Sequence, residues 1–171
     1  MSKGLYTGSA IKLGDGISTD HIIPGRFAYL RSNLPELAKH VLEDTLPDFN
    51  SRAKKGDILV GGNNFGLGSS REHAPVVIKM AGISVILVKS VARIFFRNAI
   101  NQGMPVLLCD TDIINDGDEL EVNLAESKVT DHSSGVVLDT SKMSSLMSAI
   151  VAEGGLIPYI QNHQDFVLEQ A

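Results

Sequence analysis

A regular alternation of strand and helix patterns in the middle of the chain constrains the fold more than any other feature of the sequence. Three short apolar runs rich in Val, Ile and Leu have the composition of buried strands; they cover residues 57–61, 83–88 and 104–109. Two segments with helical spacing separate these runs, at residues 69–80 and 91–101. Strand–helix–strand–helix–strand order requires parallel strands joined by right-handed crossovers, so the sequence predicts an α/β fold built on a parallel sheet.

The flanking segments predict the outer parts of the same domain. Alternation of polar and apolar residues indicates a small antiparallel meander at residues 119–124, 127–131 and 135–138. Helical spacing favours a helix capped by Asn33, a helix capped by Ser141 and a short further helix at residues 156–162. No repeat or linker divides the sequence. We therefore expect one α/β domain over residues 1–171, with a central mostly parallel sheet, flanking helices and the meander.

The composition argues against several classes of function. The 171 residues have a formal net charge of −5, whereas nucleic-acid binding requires a basic surface. The longest apolar stretch, residues 81–88, is too short to span a bilayer, and the first residues lack the apolar region of a secretion signal. We therefore expect a cytoplasmic protein with no membrane contact. Cys109 is the single cysteine, and one thiolate cannot hold an iron–sulfur cluster, so we expect no metal or cofactor on this chain.

The most informative pattern is the glycine-rich loop that follows the first predicted strand, at residues 61–75. It reads Gly-Gly-Asn-Asn-Phe-Gly-Leu-Gly-Ser-Ser-Arg-Glu-His-Ala-Pro and is predicted to enter a helix that begins at Ser69. A helix N-terminus offers unpaired N–H groups to an anion, and glycines let the backbone approach a ligand closely. Arg71 adds a planar fork that can bind a carboxylate with two hydrogen bonds. The pattern favours a carboxylate-binding site.

Other interpretations of a glycine-rich loop fit this sequence less well. A phosphate-binding P-loop requires a lysine that is missing between residues 57 and 77, and a dinucleotide fingerprint requires a third glycine where Arg71 stands. A nucleophile elbow requires Gly-x-Ser-x-Gly, which the loop lacks. For an isolated Ser-Ser-Arg sequence we would prefer a purely structural interpretation, in which Ser69 caps a helix and Arg71 is a solvated charge.

The whole motif resembles the active-site signature of the aconitase superfamily. Gly-x-Gly-Ser-Ser-Arg-Glu-His-Ala after Asn-Phe is accompanied by three further matching segments in the same order, at residues 14–26, 92–103 and 117–122. Over nearly the entire chain the sequence looks most like small subunits of 3-isopropylmalate dehydratase, with homoaconitase small subunits close to them. Two features depart from the pattern: many isopropylmalate-type small subunits have Asp-Thr-Asp-Ala where this chain has Ser18-Thr-Asp-His21, and many have a cysteine where Leu67 stands.

This resemblance implies a fold, a reaction and a partner. The fold is a single aconitase-like swivelling domain with β/β/α layers. The reaction is that of a hydro-lyase that isomerises 2-isopropylmalate and 3-isopropylmalate by dehydration and rehydration in leucine biosynthesis. In this family a large subunit binds a 4Fe-4S cluster whose open iron acts as a Lewis acid. The resemblance therefore implies a cluster-bearing large subunit as the partner, in a heterodimer or heterotetramer that is active only when both subunits are present.

The resemblance also implies roles for individual residues. Ser69 matches the catalytic serine, whose alkoxide removes the proton next to a substrate carboxylate. The residues expected to bind the substrate are Gly68, Ser70 and Arg71, and those expected to support the site are Asp20, His21 and Asn64. For Asp20, a turn in which the carboxylate bonds its own backbone is an equally good interpretation.

The loop after Arg26 is the expected determinant of substrate choice, through Tyr29, Leu30 and Arg31. An apolar residue there suits an isopropyl group, whereas Arg31 can pair with the extra carboxylate of homoaconitate. The expected substrate is thus a small di- or tricarboxylate hydroxy acid, with isopropylmalate first and homoaconitate, 2,3-dimethylmalate or a citraconate-type acid as alternatives. A non-catalytic carboxylate-binding module is the alternative from a different functional class.

Overall fold

Residues 4–163, the part of the chain that the computed structural model describes, contain one sheet of seven strands with helices packed on both faces. The strands are β1 (Leu5–Lys12), β2 (Ile58–Val60), β3 (Val85–Val88), β4 (Val106–Leu108), β5 (Glu119–Asn123), β6 (Lys128–Asp131) and β7 (Val137–Asp139). Their order across the sheet is β4-β3-β2-β1-β5-β6-β7.

At β1 the sheet changes from parallel to antiparallel pairing. One edge of β1 pairs in parallel with β2, and β3 and β4 continue the parallel half. The other edge pairs antiparallel with β5, which begins the meander of β5, β6 and β7. The predicted parallel strands and the predicted meander are thus confirmed, and they belong to one mixed sheet. The strand β1 was not predicted, because within it only Ala10 and Ile11 are buried and the apolar pattern is weak.

Seven helices and two 3₁₀ segments connect the strands within residues 4–163. The helices are α1 (Thr19–Ile22), α2 (Leu34–Ala38), α3 (Phe49–Arg52), α4 (His73–Met80), α5 (Arg93–Asn101), α6 (Ser145–Ala152) and α7 (Leu156–His163). The 3₁₀ segments are Gly25–Ser32 and Thr111–Ile113. As predicted, α4 links β2 to β3, and α5 links β3 to β4. None of the helices in this part of the chain is long and apolar enough to cross a membrane.

The two faces of the sheet cover two separate apolar clusters. Leu59 and Ile86 belong to the cluster beneath α2, α4 and α5, whereas their neighbours Ile58 and Val85 belong to the cluster beneath α6 and α7. Successive residues of a strand point to opposite faces, so each strand of the parallel half contributes to both clusters. Burial on both faces explains why these strands appear in the sequence as continuous apolar runs.

The sheet curls so that the chain after β7 returns to β4. The N–H of Ser141 donates to the carbonyl of Leu108 at 2.8 Å, and the Ser141 Oγ accepts from the Leu108 N–H at 3.0 Å. These bonds satisfy backbone groups at the edge of β4, which would otherwise be open to pairing. The prediction that Ser141 caps the last long helix is therefore wrong; Ser144 caps α6 by accepting from the Met147 N–H at 3.2 Å.

Two further helix boundaries differ from the prediction. The helix predicted to begin at Ser69 begins at His73, and residues 69–72 precede it as part of the loop, with the Ser69 N–H bonded to a side chain of another segment. The helix capped by Asn33 ends at Ala38, and the chain then turns through Leu42, which has a φ of 57°. The predicted short helix at the end of the described chain is confirmed as α7.

Candidate active site

The loop between β2 and α4 lies along the segment that leads into α1. The Gly66 N–H donates to the Ile17 carbonyl at 2.6 Å, and the Thr19 N–H donates to the Leu67 carbonyl at 2.8 Å. Ser18 and Leu67 form an isolated parallel bridge between the same two segments. We call these segments the serine loop (residues 61–72) and the threonine segment (residues 16–19). Their pairing brings together two motifs that are far apart in the sequence.

Two glycines of the serine loop have backbone conformations that other residues rarely adopt. Gly66 has a φ of +73°, and a Cβ there would lie 2.3 Å from Cγ of Phe95. Gly68 has a φ of +110°, and a Cβ there would lie 3.0 Å from Oγ1 of Thr19. The loop can thus approach both α5 and the threonine segment closely because it has no side chain at these positions.

Ser69, the predicted catalytic residue, is in contact with a buried threonine. The Ser69 N–H donates to Thr19 Oγ1 at 3.1 Å, and the two side-chain oxygens are 3.2 Å apart. Ser69 itself is exposed, whereas Thr19 is only 1% exposed. Because Thr19 Oγ1 already accepts the Ser69 N–H, its own proton is available to the Ser69 Oγ. Sequence analysis did not select Thr19, although it stands directly before Asp20 in the same motif.

The guanidinium of Arg71 is fixed next to this pair by the residues around α1. One terminal nitrogen donates to the Ile23 carbonyl at 2.7 Å, and the other forms an ion pair with Asp20 Oδ1 at 2.5 Å. The Asp20 side chain is 62% exposed, so the pair contributes little to stability and mainly orients the arginine. A guanidinium has five donor hydrogens, and these contacts leave donors for a carboxylate ligand.

The other predicted site residues occupy different positions around the serine loop. His21 caps α1 together with Ser18: its Nδ1 accepts the Ser18 N–H at 3.0 Å, and its N–H donates to the Ser18 Oγ at 3.1 Å. Asn64 has a φ of 55°, and its N–H donates to the Ser90 Oγ at 2.8 Å, which holds the start of the loop. Ser70 lines a shallow depression with Ser69 and Arg71.

A small cavity of about 140 Å³ lies on the other side of Arg71 and contains a second arginine. Its lining residues are Ile23, Pro24, Ala28, Arg31, Leu37, Arg71 and His73. Of the three predicted specificity residues, Arg31 lines the cavity. Leu30 packs against the apolar core instead, and Tyr29 is 76% exposed and does not line the cavity.

The positive charge of the site comes from side chains more than from a helix end. α4 begins at His73, and its N-cap residue Glu72 makes no capping side-chain bond. Ser69, Ser70 and Arg71 therefore precede the helix instead of forming its first turn, and the helix dipole acts on them less than predicted because its effect falls off quickly beyond the terminus. Arg71 and Arg31 are the groups that make this surface suitable for carboxylates.

The side chains of this chain that could bind a metal do not fit an iron–sulfur cluster. Within residues 4–163, no three His, Cys, Asp or Glu side chains are grouped so that they could hold a metal ion. Cys109 is the single cysteine of the sequence, and burial raises the pKa of its thiol to about 12. Its thiolate is therefore hardly populated at neutral pH, and a cluster needs several thiolates.

Comparison with known proteins connects this geometry to one family. Residues 23–110 match the model of the aconitase C-terminal domain family. The chain is 54% identical to the 3-isopropylmalate dehydratase small subunit 2 of Archaeoglobus fulgidus, over 92% of this chain and 96% of that protein. It belongs to the family of 3-isopropylmalate dehydratase small subunits.

Two further members of the family show how far the likeness extends. The 3-isopropylmalate dehydratase small subunit 1 of Thermotoga maritima is 51% identical, over 95% of this chain and 98% of that protein. A crystal structure of 3-isopropylmalate dehydratase from Methanocaldococcus jannaschii is 40% identical and has a TM-score of 0.89, covering 94% of this chain and 95% of that chain. The α/β fold of the family is thus the fold of this chain, and the expected family resemblance is confirmed.

A glycine substitution tests whether close packing of the serine loop is required. Gly66→Ala and the matched control Gly117→Ala both place alanine at a positive φ, but a Cβ at Gly117 has no other atom within 4 Å. Both variants should lose about 1 kcal/mol or more of unfolding free energy to backbone strain. Only Gly66→Ala should lose a further 1–3 kcal/mol, by rough analogy with overpacked cores. Urea denaturation of the two variants measures the difference; equal losses would show that the contact with Phe95 is not tight.

Proposed function

We propose that this chain is the small subunit of a hydro-lyase that interconverts 2-isopropylmalate and 3-isopropylmalate by dehydration and rehydration, the isomerisation step of leucine biosynthesis. The observation that supports this most strongly is the exposed Ser69 held against the buried Thr19 and next to Arg71. Similarity over nearly the full length to small subunits named for this reaction supports the choice of substrate.

In the proposed reaction Ser69 moves the proton. A neutral serine hydroxyl is a poor base in water, so its anion needs donors and positive charge arranged around it before the substrate binds. Thr19 can donate a hydrogen bond to the Ser69 Oγ, and Arg71 places a positive charge nearby. The Ser69 alkoxide then takes the proton from the carbon next to a carboxylate, the neighbouring hydroxyl leaves as hydroxide, and an unsaturated dicarboxylic acid results. Hydroxide returns to the carbon that lost the proton, and Ser69 gives its proton to the carbon that had carried the hydroxyl, which restores the alkoxide.

The remaining residues of the site bind and orient the substrate in this proposal. Arg71 offers its free donors to a substrate carboxylate, and the adjacent Ser70 lines the same depression. Gly68 is exposed and stands directly before Ser69. Asp20 acts through Arg71, whose orientation it fixes, and His21 stabilises α1. Asn64 supports the loop through its backbone.

The family consists of small subunits of an aconitase-type enzyme, so a large subunit is the implied partner. We propose that the large subunit holds a 4Fe-4S cluster, which supplies a Lewis acid for the departing hydroxyl when the two subunits combine. The presence of only one cysteine in this sequence supports a cluster that is held by the large subunit. A heterodimer or heterotetramer in the cytoplasm, with residues 1–171 acting as one domain, is the assembly we propose.

One observation favours a second candidate substrate. Arg31 and Arg71 line the same cavity, so that a second cation lies beside the apolar wall formed by Ile23, Pro24, Ala28 and Leu37. A tricarboxylate such as homoaconitate would use Arg31 for its third carboxylate. A relative from Methanocaldococcus jannaschii that is 46% identical is named an isopropylmalate/citramalate isomerase small subunit, so broader substrate use occurs in the family.

The alternative from another functional class is a carboxylate-binding module without catalysis. It would use the same arginines, but it would not require the Ser69 hydroxyl. The two proposals are therefore distinguished by removing that hydroxyl alone.

Ser69→Ala removes the proposed base. In the complex reconstituted with the large subunit, we expect kcat for isopropylmalate to fall by about 10²–10⁴-fold while the subunits still associate. Ser145→Ala, at an exposed position that begins α6, is the matched control and should leave turnover unchanged. Full turnover in the Ser69→Ala complex would contradict the proposed role of Ser69, and ligand binding by the isolated chain without turnover would favour the binding module.

Arg31→Val tests the choice between the two substrates. If a tricarboxylate uses Arg31, its KM should rise by about 10–100-fold, as expected for the loss of a charged hydrogen bond, while the KM for isopropylmalate stays within about twofold or falls. Arg97→Val, an exposed arginine on α5 that does not line the cavity, is the control. Steady-state kinetics with both acids measures the shift, and equal effects on the two substrates would rule out Arg31 as the discriminating residue.

A further inference from the structure

The loop that carries the specificity residues has little support from the apolar core. The 3₁₀ segment Gly25–Ser32 contains no fully buried residue, and only Phe27 and Leu30 pack partly against the core. A 3₁₀ segment of this length is intrinsically weak, because its hydrogen bonds have poor geometry. Some other interaction must therefore hold Arg31 at the cavity.

A cluster of charged and aromatic side chains connects the start of this segment to the turn that follows α2. The Arg26 guanidinium binds both carboxylate oxygens of Asp44, at 2.5 and 2.6 Å, and a Glu43 oxygen at 3.0 Å. It also lies 4.5 Å from the centroid of the Phe27 ring. We call Arg26, Phe27, His40, Glu43 and Asp44 the anchor.

The aromatic members tie the same two segments together a second time. The rings of Phe27 and His40 are stacked, with centroids 3.9 Å apart and an angle of 16° between their planes. His40 Nδ1 lies 2.6 Å from a Glu43 oxygen, so His40 contacts both the loop and the acidic pair. The hydrogen bond from Arg26 lowers the pKa of Asp44 below its ordinary value, and Asp44 is therefore ionised throughout the neutral range.

The acidic side of the anchor is itself attached firmly to the domain. Val41 and Leu42 precede Glu43 and are both fully buried. The Leu42 N–H donates to the carbonyl of Ile22, the last residue of α1, at 3.0 Å. The anchor thus connects the loop that carries Arg31 to the helix that orients Arg71, through one short path of contacts.

We propose that Arg26 is a positioning residue, which sets substrate affinity by holding the Tyr29–Arg31 loop in its binding-competent position without touching the substrate. This inference rests on the proposed function, because it concerns the same site. The bidentate fork of Arg26 makes the anchor geometrically specific, and a lysine can replace its charge but not its fork. If only a fraction of molecules has the loop in place, the apparent dissociation constant of the substrate rises by the inverse of that fraction.

The anchor has a characteristic dependence on salt. All its charged members are substantially exposed: the side chains of Arg26, Glu43 and Asp44 are 50%, 38% and 51% accessible. Interactions between exposed charges weaken as ionic strength rises. Salt should therefore raise KM in the unmodified enzyme more than in a variant that has already lost the anchor.

The experiment compares Arg26→Gln and Arg26→Lys with Arg52→Gln, which removes an exposed ion pair to Asp116 outside the anchor. Hydrogen exchange of residues 25–32 is measured in the full chain, and KM and kcat are measured in the reconstituted complex. We expect faster exchange and a KM higher by about three- to tenfold in Arg26→Gln, corresponding to a competent fraction of roughly 0.1–0.3, with kcat within about twofold. Arg26→Lys should fall between Arg26→Gln and the unmodified chain, and Arg52→Gln should change neither quantity.

Three results would overturn the proposal: unchanged exchange in Arg26→Gln, faster exchange with unchanged KM, or a loss confined to kcat. If the unmodified complex has no dehydratase activity, that result instead contradicts the proposed function. In that case the exchange rates still decide whether Arg26 holds the loop.

Discussion

The pairing of the serine loop with the threonine segment is the interaction on which the rest of the site depends. Three backbone hydrogen bonds between the two segments and the Thr19–Ser69 contact hold the exposed Ser69 in place. The same pairing brings Arg71 to Asp20 and to the Ile23 carbonyl, so the arginine is oriented by the segment that positions the serine. Glycine is favoured at two places in the serine loop, because a Cβ at Gly66 would meet Phe95 of α5 and a Cβ at Gly68 would meet Thr19 of the threonine segment.

The sheet determines where this pairing can occur. In a parallel sheet the loops at the carboxyl ends of the strands lie next to each other, and the serine loop follows β2 while the threonine segment follows the neighbouring β1. The 3₁₀ segment with Arg31 continues from α1, so its position also depends on β1. A surface with two arginines and one exposed serine hydroxyl is suited to a hydroxy acid with more than one carboxylate, and the large subunit completes it in the proposed function.

Much of this architecture could be predicted from the sequence, and the failures have physical causes. The strands β2, β3 and β4 were predictable because burial on both faces leaves a continuous apolar run, and the meander because one face is solvated. β1 was not predicted, because its pairing with β2 and β5 makes it a strand, whereas its own composition does not. The helix start at Ser69 was predicted wrongly, because this part of the loop pairs with the threonine segment, about 50 residues away, which local pattern cannot reveal. Thr19 and the anchor were missed for the same reason. The family motif selected Ser69 and Arg71, and the loop after Arg26 suggested Arg31; the roles of these three residues stay predictions.

The most direct test of the account is the turnover of a complex in which Thr19 is replaced by valine, which has nearly the same shape but no hydroxyl. If Thr19 makes Ser69 an effective base, kcat should fall by about 10–10³-fold in Thr19→Val, in the range found for loss of one preorganised donor, and Thr19→Ser should recover part of it. Unchanged kcat in Thr19→Val would contradict the central claim, because Ser69 would then act without the contact that defines the site.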